Sequence, residues 1–420
     1  LLLIIIIIFF FKLYFPHPAL HTVPAILGVC LIIWFSNSNE NEFVTRLLST
    51  RLFVGIGLIS YSLYLWHYPI FAFVRITGFL TGNTAGKILL IPLIIILSII
   101  TFYLVEKPIR NKKVKFKNIF FFIIISILLL VSLNLFVIKK DGIKERLPEI
   151  LQSNLQSKNN KLFKDDELKK IVLIGDSHAN ALEHELNNQI KKNNLSLYSF
   201  NTELFLTKFN YVNKANNKID KNFYNKNKII YNFINDNSNL VIIMHYRWVL
   251  RIFEKYNQNN KDNQDFDAYF QPIDVKKHSK NKRQKYVIEA FISEIENILN
   301  LGHKIILVYP VPEMNFNASR LIMNNFIKNK KIFNKNSIPI LSSSYEEYKK
   351  ANKEVFGLLD SIKHPNIYRI YPHKFFCDNQ IKNECIANNN TEIFYYDEDH
   401  LSLKGSELIA NDILKKIKII

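Results

Sequence analysis

The hydrophobic pattern of the chain changes character near residue 139. Before it, long runs of Ile, Leu and Phe are broken only by short polar loops, and five apolar stretches stand out: roughly Leu1–Phe15, His21–Phe35, Leu52–Ile76, Gly86–Val105 and Asn118–Ile138. A membrane-crossing helix needs about 20 predominantly apolar residues. The last three stretches meet that need, the second is marginal and the first is short. The chain opens inside an apolar run with no Met, no charged start and no small-residue cleavage site. The first stretch is therefore expected to be a cut span with further helices upstream, not a secretory signal.

Lys139–Lys169 is polar and charged and reads as a connector. From Lys170 onward, short apolar runs alternate with amphipathic ones. Strands are expected at Ile171–Ile174, Leu195–Phe200, Leu240–Met244, Lys304–Tyr309 and Ile367–Tyr371, and helices at Ala179–Lys192, Lys285–Leu299, Glu346–Leu359 and Ser402–Ile417. Strands alternating with helices predict a parallel, three-layer α/β domain. The expected layout is a helical transmembrane bundle over 1–138, a linker over 139–169 and an α/β domain over 170–420.

Loop charge orients the helical part. The connection Glu106–Lys117 is the most basic short loop in the chain, and the loop with Arg46 and Arg51 lies two spans earlier. Lys and Arg favour the cytoplasmic side, so the fifth span should deliver everything after Lys139 outside the cytoplasm. The net charge of +19 comes mostly from Lys. Without basic and aromatic residues interleaved in a recognition motif, it reads as a Lys-, Asn- and Ile-rich composition and not as a nucleic-acid surface.

The candidate chemistry lies at the two ends of the α/β part. Ile171-Val172-Leu173-Ile174-Gly175-Asp176-Ser177-His178 is a buried-strand pattern running into a tight turn that exposes a hydroxyl. Serine needs a base to become a nucleophile. Asp397-Glu398-Asp399-His400 offers one, with a carboxylate three residues before a His that can orient its ring. Asp399 is the competing acid, although its spacing does not suit that role, and Asp176 is expected to shape the turn. Cys377 and Cys385 bracket a polar loop just upstream and are expected to form a disulfide in an oxidising compartment. Two thiols and no well-spaced His pair give no metal site. In the helical part, His67 lies among the aromatics of Ser60–Pro69, and Glu106 precedes Arg110 by one helical turn. His67 is either a cavity-facing group or a satisfied member of an aromatic belt, and Glu106 reads as a local ion-pair partner.

Two resemblances follow. Ile59–Pro69 together with Val105–Arg110 resembles the C-terminal half of the acyltransferase family 3 membrane domain, whose members O-acylate sugars of the cell envelope. The family's catalytic His belongs to earlier helices and has no counterpart here. Gly175-Asp176-Ser177 with Asp397–His400 resembles the SGNH hydrolase superfamily, and His178 resembles the version fused to those membrane proteins. The resemblance implies Ser177 as nucleophile, His400 as base and Asp397 as orienting acid. It also departs from the superfamily: no Gly occurs between Gly175 and Gly302, and the strand ending at Met244 runs into His245-Tyr246-Arg247-Trp248 where an Asn is expected. Gly175 and Arg247 are the remaining candidates for the oxyanion or substrate site, with a salt-bridge role for Arg247 equally open. The expected protein is a bacterial inner-membrane O-acyltransferase with a periplasmic SGNH-like domain. It would bind no cofactor, use an acyl-CoA donor (acetyl-CoA by resemblance) from the cytoplasm and accept an envelope polysaccharide or lipopolysaccharide. A glycan esterase, or a domain that only binds glycan, are the competing readings.

Overall fold

The computed structural model describes residues 23–36, 43–77, 86, 88–110, 114–140, 142, 168–214, 216–255, 268–273, 280–328 and 338–420. The chain divides into two compact units, Leu1–Lys139 and Lys140–Ile420. The first expected span and nearly all of the expected linker lie outside the described residues.

The first unit is helical. It comprises α1 (Val23–Ser36), α2 (Phe43–Leu48), α3 (Arg51–Thr77), α4 (Leu90–Thr101) and α5 (Phe116–Lys139). Helix α4 runs on through a π-helical turn, Phe102–Glu106, and a last α-turn, Lys107–Ile109. Among the described residues, two helical segments are long and apolar enough to cross a membrane: Leu90–Ile109 and Phe116–Lys139. These correspond to the fourth and fifth expected spans. Helix α1 has 14 residues, or about 21 Å at 1.5 Å per residue, short of a hydrocarbon core of about 30 Å. Helix α3 has the length, at 27 residues, but Arg51, Ser60, Ser62, His67 and Arg75 dilute its hydropathy.

The second unit is built on a five-stranded parallel sheet of order β2-β1-β4-β6-β8. In chain order its elements are β1 (Lys170–Gly175), α6 (Ser177–Lys192), β2 (Ser196–Asn201), β3 (Phe209–Asn213), α7 (Lys221–Asn235), β4 (Val241–His245), α8 (Trp248–Phe253), β5 (Ala268–Pro272), α9 (Lys280–Asn300), β6 (Lys304–Val308), α10 (Ala318–Lys328), β7 (Ser342–Ser344), α11 (Tyr345–Ser361), β8 (Ile367–Ile370), α12 (His373–Phe376), β9 (Glu384–Ile386) and α13 (Leu403–Ile419). All five expected strands and all four expected helices are present, within a few residues of their expected bounds.

The sheet is covered on both faces, which is why its central strands β1, β4 and β6 read as nearly unbroken apolar runs. In β1, Ile171 and Leu173 pack with Leu182 and Leu186 of α6 and with Ile409 and Ile413 of α13. Val172 and Ile174 pack on the opposite face with Ile230 of α7 and with Phe291 and Ile295 of α9. Burying an aliphatic side chain of this size contributes about 1.5–3 kcal/mol. Strand order reverses direction at β1, whose neighbours are β2 on one side and β4 on the other. Ligands of open parallel sheets bind outside the C-terminal ends of the strands at such a switch point. Two antiparallel pairs, β3 with β5 and β7 with β9, lie outside the main sheet. Cys377 and Cys385 are joined by a disulfide between α12 and β9.

Gly175 ends β1 where β4 passes very close. A Cβ there would lie 1.9 Å from the His245 carbonyl oxygen and 2.5 Å from the Ala179 Cβ. Since the first obstacle is backbone, a side chain can be accommodated only by moving β4. Gly175→Ala is expected to cost about 1–3 kcal/mol, read as a lowered thermal midpoint of the purified protein, and an unchanged midpoint would contradict this packing.

Candidate active site at the switch point

Ser177 is the first residue of α6 and is exposed, while its neighbours Asp176 and His178 are buried. Asp176 caps the helix and accepts from the His178 N–H at 3.0 Å. The same carboxylate accepts from the Arg247 N–H (3.3 and 3.2 Å to its two oxygens) and from Arg251 Nε (2.8 Å). Burial alone would raise the Asp176 pKa, but the charges of His178 and Arg251 and the bonds it accepts hold it below the ordinary carboxylate range. Asp176 thus shapes the turn and locks it to the end of β4.

The base arrives from the loop before α13. His400 Nδ1 lies 2.8 Å from Asp397 Oδ2, and Asp397 Oδ1 accepts from the backbone N–H groups of Asp399 (3.0 Å) and His400 (2.7 Å). The Asp-x-x-His spacing therefore folds back on itself and sets both ring and backbone. Gly405, in the first turn of α13, lets that helix pack against the preceding segment, since a Cβ there would meet the Phe394 carbonyl at 2.2 Å. The His400 and His178 ring centroids are 5.2 Å apart, which brings His400 beside the residue that follows Ser177. His400 Nε2 is buried and has no hydrogen-bond partner. Asp397 and His400, from the far end of the domain, thus lie beside the helix that Ser177 begins.

Asp399 is fully part of this cluster. Its Oδ2 lies 3.2 Å from His178 Nε2 and 3.1 Å from Arg247 Nη1, and its Oδ1 lies 3.3 Å from His400 Nδ1. Burial would raise its pKa, but the bonds from His178 and His400 and the Arg247 charge hold it far below the usual carboxylate range. His400 shows the converse. Burial would lower its pKa, and the hydrogen bond to Asp397 together with the adjacent Asp399 carboxylate reverses this and raises it to about 10. His245, beneath His178 with ring centroids 5.6 Å apart, is pushed down to about 3 by burial and then by the His178 charge.

Arg247 comes to the site with its side chain committed. Nε and Nη2 bond Glu313 at 2.8 and 2.9 Å, and Nη1 faces Asp399. Of its open roles, the structure supplies the salt bridge. Gly175 serves close strand packing. The rest of the segment after β4 also turns inward: Trp248 Nε1 donates to the Val308 carbonyl at 2.8 Å, and Tyr246 is fully buried. The N–H of Ser177 lies at the first helical position, where a helix supplies no internal acceptor.

Sequence reasoning missed Arg251 and Glu313 and gave His178 no role. The Arg247–Arg251 spacing of one helical turn was a usable signal; Glu313 carried none. The fold also brings His178, Asp399 and His400 together, with a nitrogen or carboxylate oxygen of each within 4.8 Å of the others, although the chain keeps the two histidines apart. In the first unit, Glu106 pairs with Arg110 at 2.7 Å and accepts from Ser62 of α3 at 3.0 Å. His67 Nδ1 bonds back to the Tyr64 carbonyl of its own helix at 2.6 Å. Of these three motif positions, Glu106 links the end of α4 to α3 through Ser62, while His67 bonds within its own helix.

A family profile described as "SGNH domain (fused to AT3 domains)" matches residues 149–415. No curated protein matches the chain in sequence. A solved structure, the periplasmic domain of a lipopolysaccharide acetyltransferase from Salmonella ser. Paratyphi A, is similar at 21% identity with a TM-score of 0.39, over 61% of this chain and 85% of that one.

His400 can accept a proton only when neutral, and its raised pKa keeps it charged at pH 7. Reaction of Ser177 with a fluorophosphonate is therefore expected to accelerate as pH rises toward about 10. The stabilisation linked to His400 has the matching sign: fully present below its unfolded value near 6.5 and lost as pH rises through about 10. A labelling rate that is flat from pH 6 to 10 would contradict the double-carboxylate setting of the ring.

Proposed function

The chain belongs to the family of SGNH domains fused to AT3 domains, and on that premise we propose that it is a membrane-bound O-acyltransferase whose α/β domain carries the acyl group on Ser177. The acceptor is a hydroxyl of a cell-envelope glycan. One observation carries the reading: an exposed serine begins the helix whose next residue, His178, lies beside His400, whose Nδ1 is held by Asp397 and whose Nε2 has no partner among the described residues.

The chemistry follows in two steps. His400 Nε2 takes the Ser177 proton as Oγ attacks the acyl carbonyl. The adduct collapses to acyl-serine, and the donor's leaving atom departs with that proton. A sugar hydroxyl then attacks the acyl-serine carbonyl, its proton passes to His400, and His400 returns it to Ser177 Oγ as the sugar ester leaves. One acyl bond breaks, one forms, and no net proton is gained or lost. The Ser177 N–H at the first position of α6 is the oxyanion donor that the local fold offers. Water in place of the sugar would make the same site an esterase.

The acyl group is drawn from a cytoplasmic acyl-CoA, acetyl-CoA for an O-acetyl product, and reaches the α/β domain through the membrane part. Helix α5 supports membrane residence: it is a 24-residue apolar helix with none of its residues buried, a surface suited to lipid and not to water. The basic loop before it supports a cytoplasmic start and a periplasmic α/β domain, in a multi-pass protein of the bacterial inner membrane. The Cys377–Cys385 disulfide fits an oxidising compartment.

Ser177→Ala in the full chain is expected to reduce glycan acylation in cells by about 10³-fold or more; full retention would overturn the acyl-serine step. Purified wild-type protein supplied with acyl donor should form more sugar ester than free acid, and the reverse ratio would establish the esterase. In protein purified without reductant, Cys377 and Cys385 should resist alkylation; two reactive thiols would contradict the periplasmic placement.

A further inference from the structure

Asp399 does something that the three-residue reading of the site does not use. Its carboxylate is only 5% exposed and touches three charged or chargeable groups on three different segments. His178 belongs to α6, the helix that Ser177 begins. Arg247 belongs to the turn after β4. His400 belongs to the loop before α13. We propose that Asp399 is a positioning residue for the acyl-transfer reaction, a second carboxylate that ties the ring of His400 to the helix of the nucleophile through His178. This inference rests on the assignment of Ser177 and His400 as the reacting pair.

The geometry separates its role from that of Asp397. His400 Nδ1 carries one proton. Asp397 is nearer, at 2.8 Å, and also accepts from the His400 backbone N–H, so it takes the hydrogen bond. Asp399 stands at 3.3 Å from the same nitrogen and acts on it through charge. Its other oxygen accepts from His178 Nε2, whose backbone N–H is already held by Asp176. The tether therefore runs from the cap of the nucleophile's helix, through one imidazole and one carboxylate, to the base. Arg247 completes it. With Nε and Nη2 bound to Glu313, only Nη1 turns to Asp399, so Asp399 faces a cation held in place from behind. The charged and titratable groups around the pair of rings are thus Asp397 and Asp399 from the last loop, His178 and Asp176 at α6, Arg247 and His245 at β4, and Glu313 after β6.

The arrangement predicts different effects for the two ends of the tether. Asp399→Asn keeps an oxygen for His178 and removes the charge beside His400. His178→Ala keeps the charge and removes the tether, and His178→Gln returns a donor at the position of Nε2. The test is the rate of Ser177 labelling by a fluorophosphonate against pH, in membranes holding the full chain. Asp399→Asn should lower the plateau rate by about 10–100-fold and move the rise of the profile to lower pH. His178→Ala should lower the plateau without moving the rise to lower pH, and His178→Gln should recover most of it.

A wild type that labels while Asp399→Asn matches it in both rate and profile overturns this inference and leaves the triad standing. A wild type that does not label, or that labels no faster than Ser177→Ala, overturns the triad and the inference with it. If Asp399→Asn fails to fold, the His178 variants decide alone: equal rates for His178→Ala and wild type overturn the tether.

Discussion

The second unit depends on one buried anion. Asp176 is 2% exposed, and an uncompensated charge at that depth costs several kcal/mol. Two backbone N–H groups and the Arg251 guanidinium satisfy it. These partners come from the helix after β1 and from the segment after β4, the two strands on either side of the switch point. Satisfying the charge therefore ties the ends of β1 and β4 together at the switch point. It also leaves Ser177 with nowhere to go but outward. Gly175 completes the constraint from the backbone side, since any larger residue would push β4 away from the carboxylate that it helps to neutralise.

The fold was legible where burial produces a pattern. The central strands β1, β4 and β6 were visible because both faces are covered, which makes them nearly continuous apolar runs, and the outer strands β2 and β8 still carry enough apolar residues to stand out. Elements defined by pairing across long sequence gaps were not visible. Strand β3 pairs with β5 more than fifty residues later, and neither reads as a strand alone. Helix α7, whose buried face combines Phe223, Ile230 and Ile234 with the polar Asn227, was also missed. The site followed the same rule. Ser177, Asp397 and His400 were legible because local motifs carry them. Asp399 was read only as a competitor of Asp397, because its spacing from His400 carries no trace of its other partners. Its partners His178 and Arg247 come from other strands, and Glu313 belongs to no motif.

In the first unit the informative residues are polar ones that satisfy one another. Ser62 reaches Glu106, Trp66 Nε1 donates to Thr101 Oγ1 at 2.8 Å, and Ser98 bonds the Ile94 carbonyl. In hydrocarbon such groups have no water to turn to, so pairing between α3 and α4 is what an apolar surrounding demands. The π-turn Phe102–Glu106 lies where these contacts end. A π-turn shifts the helical phase, and here it sets the direction of Glu106 relative to the rest of α4.

The separation of the reacting groups along the chain also has a meaning for biogenesis. His178 and Asp399 are 221 residues apart, and helix α13, near the end of the chain, packs against α6, the helix that Ser177 begins. Contacts of such long range form late, because the entropy of closing the intervening loop is lost before any contact compensates for it. On the proposed reading, a growing polypeptide has the serine but not its base until the loop before α13 has been made and α13 has docked on α6.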